Sequence, residues 1–305
     1  MNLKRNILIV GVNGNIGVKL HSILSRLFSI YSISSNYGTI EDNFTKLDLN
    51  DKNALSQYGI NCPHYDILIF LVGLAHKKGK GAEYPAFKKI NYQTLENLLS
   101  ELKRNNKIPE KIIFSSTIST YGEKYYQDIY TEDLINMPLS PYAITKLEAE
   151  QYLLDKFSDK TWILRFAPVY SSDFLLNINR RTRIGRIFYR VGKGDKKLSL
   201  CNIENIGTAI EKIIYDKVPK GIYNISDPNE YSYNELLHWR KANLVFPIPV
   251  FTVKFLYYVG KFLNNKFLIE NTIKLITDNI FPSKKICSFI DLPATINDLK
   301  FDNGS

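Results

Sequence analysis

The strongest constraint on the fold sits near the N-terminus, where Ile7, Leu8, Ile9 and Val10 form an apolar run that Gly11, Gly14 and Gly17 follow at three-residue spacing. A short apolar run ended by glycine reads as a buried strand. The apolar pattern from Ile16 to Phe28 then reads as a helix. A glycine turn between the two lets backbone approach a pyrophosphate, and the helix N-terminus offers unpaired N–H groups and the positive end of its dipole. This G-x-x-G-x-x-G spacing therefore predicts a dinucleotide site at Gly11, Asn13, Gly14, Asn15, Ile16 and Gly17. Without the flanking strand and helix the same glycines would describe an ordinary turn.

The strand-then-helix rhythm continues. Apolar runs at 65–73, 111–116 and 161–166 alternate with helical patterns at 85–105 and 140–157. Buried parallel strands need crossover helices on both faces, so this alternation predicts an α/β fold, a doubly wound parallel Rossmann sheet. Beyond Tyr170 the rhythm weakens to a basic stretch, a short strand at 221–226 and helical patterns near 232–242, 252–263 and 267–279. We expect a dinucleotide-binding domain over 1–170 and a smaller, mainly helical substrate-binding lobe over 171–305, with no flexible linker between them.

Composition excludes several classes. With 45% hydrophobic and 23% charged residues the chain is typical of globular proteins. The formal charge of +10 favours anionic partners, but no helix–turn–helix, zinc-finger or aromatic RNA-binding signature accompanies it, so no nucleic acid is expected. Cys62, Cys201 and Cys287 are too few and scattered for a disulfide framework, which fits a reducing cytoplasm. His21, His64, His76 and His238 are equally dispersed, and no metal site is expected. There is neither a G-x-S-x-G elbow nor a Walker lysine loop. No apolar run reaches the roughly eighteen residues of a transmembrane span. The longest candidate, Phe251 to Leu263, is broken by Lys254, Gly260 and Lys261; its apolar stripe reads as core or as a homodimer face, with a membrane surface as the third option.

Two further patterns carry chemistry. Tyr142 and Lys146 lie four residues apart on a predicted helix, hence on one face, where an ammonium can lower a phenol pKa from about 10. Ser115, Ser116 and Thr117 end a predicted strand, and strand carboxyl ends line the ligand crevice of an open α/β sheet.

Glycine motif, Ser/Thr strand end, Y-x-x-x-K and the LRFAPVY segment at 164–170 together resemble the extended short-chain dehydrogenases/reductases, the NAD-dependent epimerase/dehydratase family. The resemblance spans roughly residues 5–245. It implies Thr117 as the catalytic hydroxyl, Tyr142 as acid/base, and Lys146 as the residue that tunes Tyr142 and holds the nicotinamide ribose. It also implies Asp48 near the adenine, Leu71, Val72 and Gly73 along the cofactor, and Leu49, Ser115 and Pro168 among the cofactor contacts. The implied substrate is a nucleotide-diphosphate sugar, with His76 and Thr117 placed to reach it.

Departures from the family pattern narrow the reading. The second strand ends in Ser32-Ile33-Ser34-Ser35-Asn36, with no carboxylate for the adenosine ribose; Ser34 and Ser35 stand there instead, which leaves NAD or NADP open and leans toward NADP. Ile118-Ser119 replaces the Asp-Glu pair of the 4,6-dehydratases, so dehydration is not expected. The segment Leu198 to Glu204 lacks the family's diphosphate arginine, and Arg180, Arg181 and Arg183 are the candidate replacements. The expectation is hydride transfer at a sugar carbon, C4, by a 4-keto sugar-nucleotide reductase of surface glycan biosynthesis. A UDP-sugar 4-epimerase with retained NAD and a non-catalytic dinucleotide sensor are the alternatives.

Overall fold

The computed structural model describes residues 5–38, 40, 42–75, 83–122 and 124–299. The chain divides into two compact units that interleave in sequence: Met1–Thr117, Pro141–Arg165 and Ala209–Tyr223 form the first, and Ile118–Ser140, Phe166–Thr208 and Asn224–Ser305 the second.

The first unit is built on a sheet whose strands are β1 (Asn6–Val10), β2 (Ser29–Ser34), β3 (Phe44–Lys46), β4 (Ile67–Phe70), β5 (Lys111–Thr117) and β6 (Thr161–Phe166), with Gly221–Ile225 as the seventh. Their spatial order is Gly221–Ile225, β6, β5, β4, β1, β2, β3. The order reverses between β1 and β4, each of which runs parallel to its neighbours. In such sheets the ligand crevice opens beyond the carboxyl ends at that reversal, here after Val10 and Phe70. The helices of this unit are α1 (Asn15–Leu24), α2 (Lys52–Asn61), α3 (Tyr84–Lys88), α4 (Thr94–Arg104) and α5 (Pro141–Phe157).

Burial explains the run-like strands. Leu8, Val10, Leu68, Phe70, Ile112 and Phe114 share one core with the α4 leucines Leu95, Leu98, Leu99 and Leu102. Those leucines recur at three- and four-residue spacing, and each fully buried side chain contributes roughly 1.5–3 kcal/mol. Between α3 and α4 a π-helical turn covers Lys89–Gln93 and carries Asn91, which is fully buried. Its Oδ1 accepts from Leu74 N at 2.6 Å and its Nδ2 donates to Thr145 Oγ1 at 3.0 Å, so the loop after β4 is tied to α5 through this side chain. Residues 209–223 belong to this unit for a similar reason. Lys111 Nζ donates to the carbonyls of Ile213 (2.9 Å) and Ile214 (3.2 Å), which end a helix, and pairs with Asp216.

The second unit carries α6 (Leu176–Thr182), the start of α7 (Ile203–Ile214), α8 (Tyr233–Trp239), α9 (Val250–Phe262) and α10 (Lys266–Ile276). Among the described residues three small sheets run alongside these helices, the largest joining Val245–Ile248 to Ile187–Val191 and Arg183–Ile184. The polar centre of this unit is Asp227, buried, whose carboxylate accepts from Asn202 N (2.6 Å), Asn205 Nδ2 (3.0 Å), Tyr231 Oη (2.9 Å) and Tyr170 Oη. Among the described residues no helix is long and apolar enough to cross a membrane.

Candidate active site

The glycine turn is shaped by contact. Gly11 has φ +86°, and a Cβ there would lie 3.0 Å from Val72 N and 3.2 Å from the Leu71 carbonyl carbon, so the loops after β1 and β4 meet backbone to backbone. At Gly17 a Cβ would lie 2.6 Å from Val12 Cα and 2.7 Å from Gly11 O, a spacing that no side chain tolerates. Gly14 caps α1 without a side-chain hydrogen bond, and no acid stands in the first turn. A Cβ at Gly14 would meet nothing nearer than Gly11 O at 3.4 Å. The first-turn N–H groups of Asn15, Ile16 and Gly17 have no intrahelical acceptor, so this end of α1 suits an anion. These features fit the pyrophosphate of a dinucleotide.

The neighbouring cofactor candidates divide by side-chain direction. Asn13 Nδ2 donates to Asn36 O at 2.6 Å and lies over the turn that follows β2. Ser34 is half-buried, its carbonyl accepting from Leu47 N at 2.9 Å, while Ser35 is exposed. Asp48 is exposed and accepts from Asn50 N at 2.9 Å; Leu49, the next residue, turns into the core. Leu71 and Val72 are half-buried and Gly73 is exposed.

Thr117 and Tyr142 are joined by a side-chain hydrogen bond at the carboxyl end of β5. Burial pushes the Tyr142 phenol up to about 12, and that bond to Thr117 pulls against it. Burial also brings Lys146 down to about 7, with the charge of Glu150 opposing the shift. Lys146 Nζ donates to Val72 O and Ser115 O, each at 2.9 Å, and sits 4.6 Å from the centre of the Phe114 ring. The four-residue spacing predicts an ammonium that lowers the phenol pKa. In the structure the hydrogen bond from Thr117 pulls the phenol down, and Lys146 holds two backbone carbonyls at the same strand end. A Cβ on Gly73 would lie 3.2 Å from Lys146 Cε and Nζ, so that glycine leaves the ammonium its room.

Sequence reasoning missed the support beneath this cluster. Ser116 donates its hydroxyl to Glu150, which also receives Arg165 through Nη2 (2.6 Å) and Nε (3.1 and 3.2 Å). Both charged residues are buried. The signal was present: Glu150 lies four residues beyond Lys146, on the same helix face.

The remaining described candidates belong to the second unit. Pro168 belongs to the second unit, where its carbonyl accepts from Cys201 N at 3.1 Å. Arg180 and Arg181 stand on α6; Arg180 is exposed and Arg181 Nη1 donates to Asn177 O at 3.1 Å. Arg183 opens the small sheet and is close enough to Arg240 to depress that guanidinium, burial being the larger cause. Sequence reasoning had not included Arg240 in this group. His76 lies outside the described residues. Among the described residues no group of three or more His, Cys, Asp and Glu side chains gathers as for a metal.

Solved structures share the fold across nearly the whole chain. A UDP-glucose 4-epimerase of Thermus thermophilus in complex with NAD superposes with a TM-score of 0.70 at 18% identity, covering 96% of each chain. A hypothetical dTDP-4-dehydrorhamnose reductase of Sulfolobus tokodaii gives 0.69 at 19% identity, covering 96% of this chain and 98% of that one. An Arabidopsis thaliana protein provisionally named UDP-arabinose 4-epimerase 4 is 34% identical over 136 residues, 43% of this chain and 30% of that one. The chain spans about a third of the length of the curated relatives it matches. The sequence profile of the NAD dependent epimerase/dehydratase family matches residues 7–226, and the chain belongs to that family.

Proposed function

We propose that the chain transfers hydride at C4 of a nucleotide-diphosphate sugar, with Tyr142 exchanging the proton of the C4 oxygen and Thr117 hydrogen-bonding the same oxygen. The observation that carries this reading is the Thr117–Tyr142 pair at the carboxyl end of β5, beside Lys146. A nicotinamide dinucleotide, held by the glycine turn and the N-terminus of α1, supplies or takes up the hydride when bound. The chain's own residues orient the sugar oxygen, hold its proton and keep Lys146 Nζ between the loop after β4 and the end of β5. Removing such an acid/base group costs about 10²–10⁴-fold in rate.

One observation favours a 4-keto reductase. The end of β2 offers Ser34, Ser35 and the amide of Asn13 where a ribose-binding acid would repel a 2′-phosphate, which supports an exchangeable cofactor and use of NADP. A 4-epimerase with retained NAD is the second reading, favoured by the names of the curated relatives. The test gives the protein a UDP-4-keto-6-deoxy-hexosamine with NADPH and, separately, UDP-glucose or UDP-N-acetylglucosamine with no added cofactor. Stoichiometric NADPH consumption in the first alone supports the reductase. Inversion at C4 in the second, without net redox change, overturns it.

A further inference from the structure

The α9 helix presents two stripes of large side chains. Val253, Tyr257 and Gly260 are buried, and the core beneath them includes Tyr189, Val191, Ile273 and Ile276. A Cβ on Gly260 would lie 3.2 Å from Ile269 N, so α9 and α10 lie close together there. On the other side Phe251, Phe255, Tyr258 and Phe262 recur at spacings of four, three and four, which aligns them along a single helix face. They are 72, 67, 58 and 90% exposed. Leu263 and Phe267 extend the exposed apolar surface past the helix end, and Leu244 and Phe246 precede it. A soluble surface rarely carries so many large apolar side chains together unless something covers them. Of the three readings of this segment, core, homodimer face and membrane surface, core describes the inner stripe, while the outer stripe stays largely exposed.

Charge identifies the partner. Between Glu235 and Glu270 the sequence contains no acid, while Arg240, Lys241, Lys254, Lys261 and Lys266 lie within that interval. Lys254 and Lys261, seven residues apart, flank one edge of the aromatic stripe, and both are exposed, as is Lys266. A second copy of this chain would set those cations against their own counterparts, with no acid in the segment to answer them. An anionic bilayer answers both features, burying the aromatic rings at headgroup level and attracting the lysines. The helix is long enough, about 20 Å at 1.5 Å per residue, to lie in the interface, and no described helix is suited to crossing it.

We infer that the outer face of α9 is a membrane-docking surface, on which Phe251, Phe255, Tyr258 and Phe262 insert among anionic headgroups and Lys254, Lys261 and Lys266 contact them. Docking of this kind is reversible and weakens as salt rises.

The full-length chain is tested by flotation with phosphatidylcholine vesicles and with vesicles carrying about 30% phosphatidylglycerol. It floats with the anionic vesicles and stays behind with the neutral ones. Phe255→Ser with Phe262→Ser, and separately Lys254→Glu with Lys261→Glu, each cut the bound fraction about tenfold or more. All four positions are exposed, so thermal melting of both variants matches the parent. Absence of flotation with anionic vesicles, or undiminished flotation of the aromatic variant, overturns the proposal. So does a sedimentation experiment in which the parent is a dimer and the aromatic variant a monomer, since the stripe is then covered by a second copy.

Discussion

Glu150 lies one helical turn beyond Lys146 on α5 and receives the guanidinium of Arg165 and the hydroxyl of Ser116. Lys146 meanwhile holds the carbonyl of Ser115. Two consecutive residues of β5 are therefore fastened to the same helix, one through its backbone and the next through its side chain, immediately before Thr117. Because Glu150 and Arg165 are both buried, removing one partner strands the other's charge, at a cost of about 3–5 kcal/mol. Glu150→Met and Arg165→Met should each lower stability by that order in chemical denaturation, and the double variant should lose less than the two singles combined. Strict additivity would show that the pair is not coupled.

Tyr142→Phe keeps the ring and its packing and removes only the exchangeable proton. Turnover should fall by about 10²–10⁴-fold, with dinucleotide binding measured by fluorescence or calorimetry nearly unchanged. A variant that kept more than half of the parent's rate would exclude Tyr142 as the acid/base.

Four strands of the central sheet, β1, β4, β5 and β6, were legible because they are apolar runs, and the strand-then-glycine start of the chain placed the beginning of α1 within a residue or two of its observed Asn15, whereas the polar alternation of β2 and the three residues of β3 gave no such run. Tyr142 and Lys146 were legible through helical spacing. What escaped depended on direction and closure. Ser115, Ser116 and Thr117 read together as hydroxyls for the crevice, yet alternate strand residues face opposite ways, and Ser116 turns to Glu150. Asn91 falls inside a pattern that reads as one continuous helix, and no residue pattern announces the π turn that surrounds it. In α9 the spacing revealed apolar faces, but spacing alone does not tell a covered face from an open one.

Gly14 and Gly17 should separate folding from binding. A methyl group on Gly17 enters the backbone of Val12 and Gly11, so Gly17→Ala should cost about 1–3 kcal/mol of stability, as overpacking does. Gly14→Ala has room, and as an uncapped N-cap it should cost at most about 1 kcal/mol. It does, however, place a methyl group at the mouth of α1. Its signature should be weakened dinucleotide binding in a protein that melts close to the parent, which differential scanning fluorimetry with and without added dinucleotide would report. Equal losses of stability in the two variants would contradict this division.

Asp227 gives the second unit a pH dependence of defined sign. Burial raises its carboxyl to about 6, against the hydrogen bonds from Tyr170, Asn202, Tyr231 and Asn205 that favour the charged form. In the unfolded chain an aspartate titrates near 3.9, so between about pH 4 and 6 the folded state holds a proton that the unfolded state has lost. The stabilisation linked to this proton is complete below about pH 4 and disappears as pH rises through about 6. Two pKa units amount to roughly 3 kcal/mol. Asp227→Asn removes the titration while keeping the side chain's shape. Urea unfolding followed from pH 4 to 7 should show a stability difference, parent minus Asp227→Asn, that falls on the order of 3 kcal/mol across the window. A difference that stays flat, or rises with pH, would mean that the four donors around Asp227 outweigh its burial.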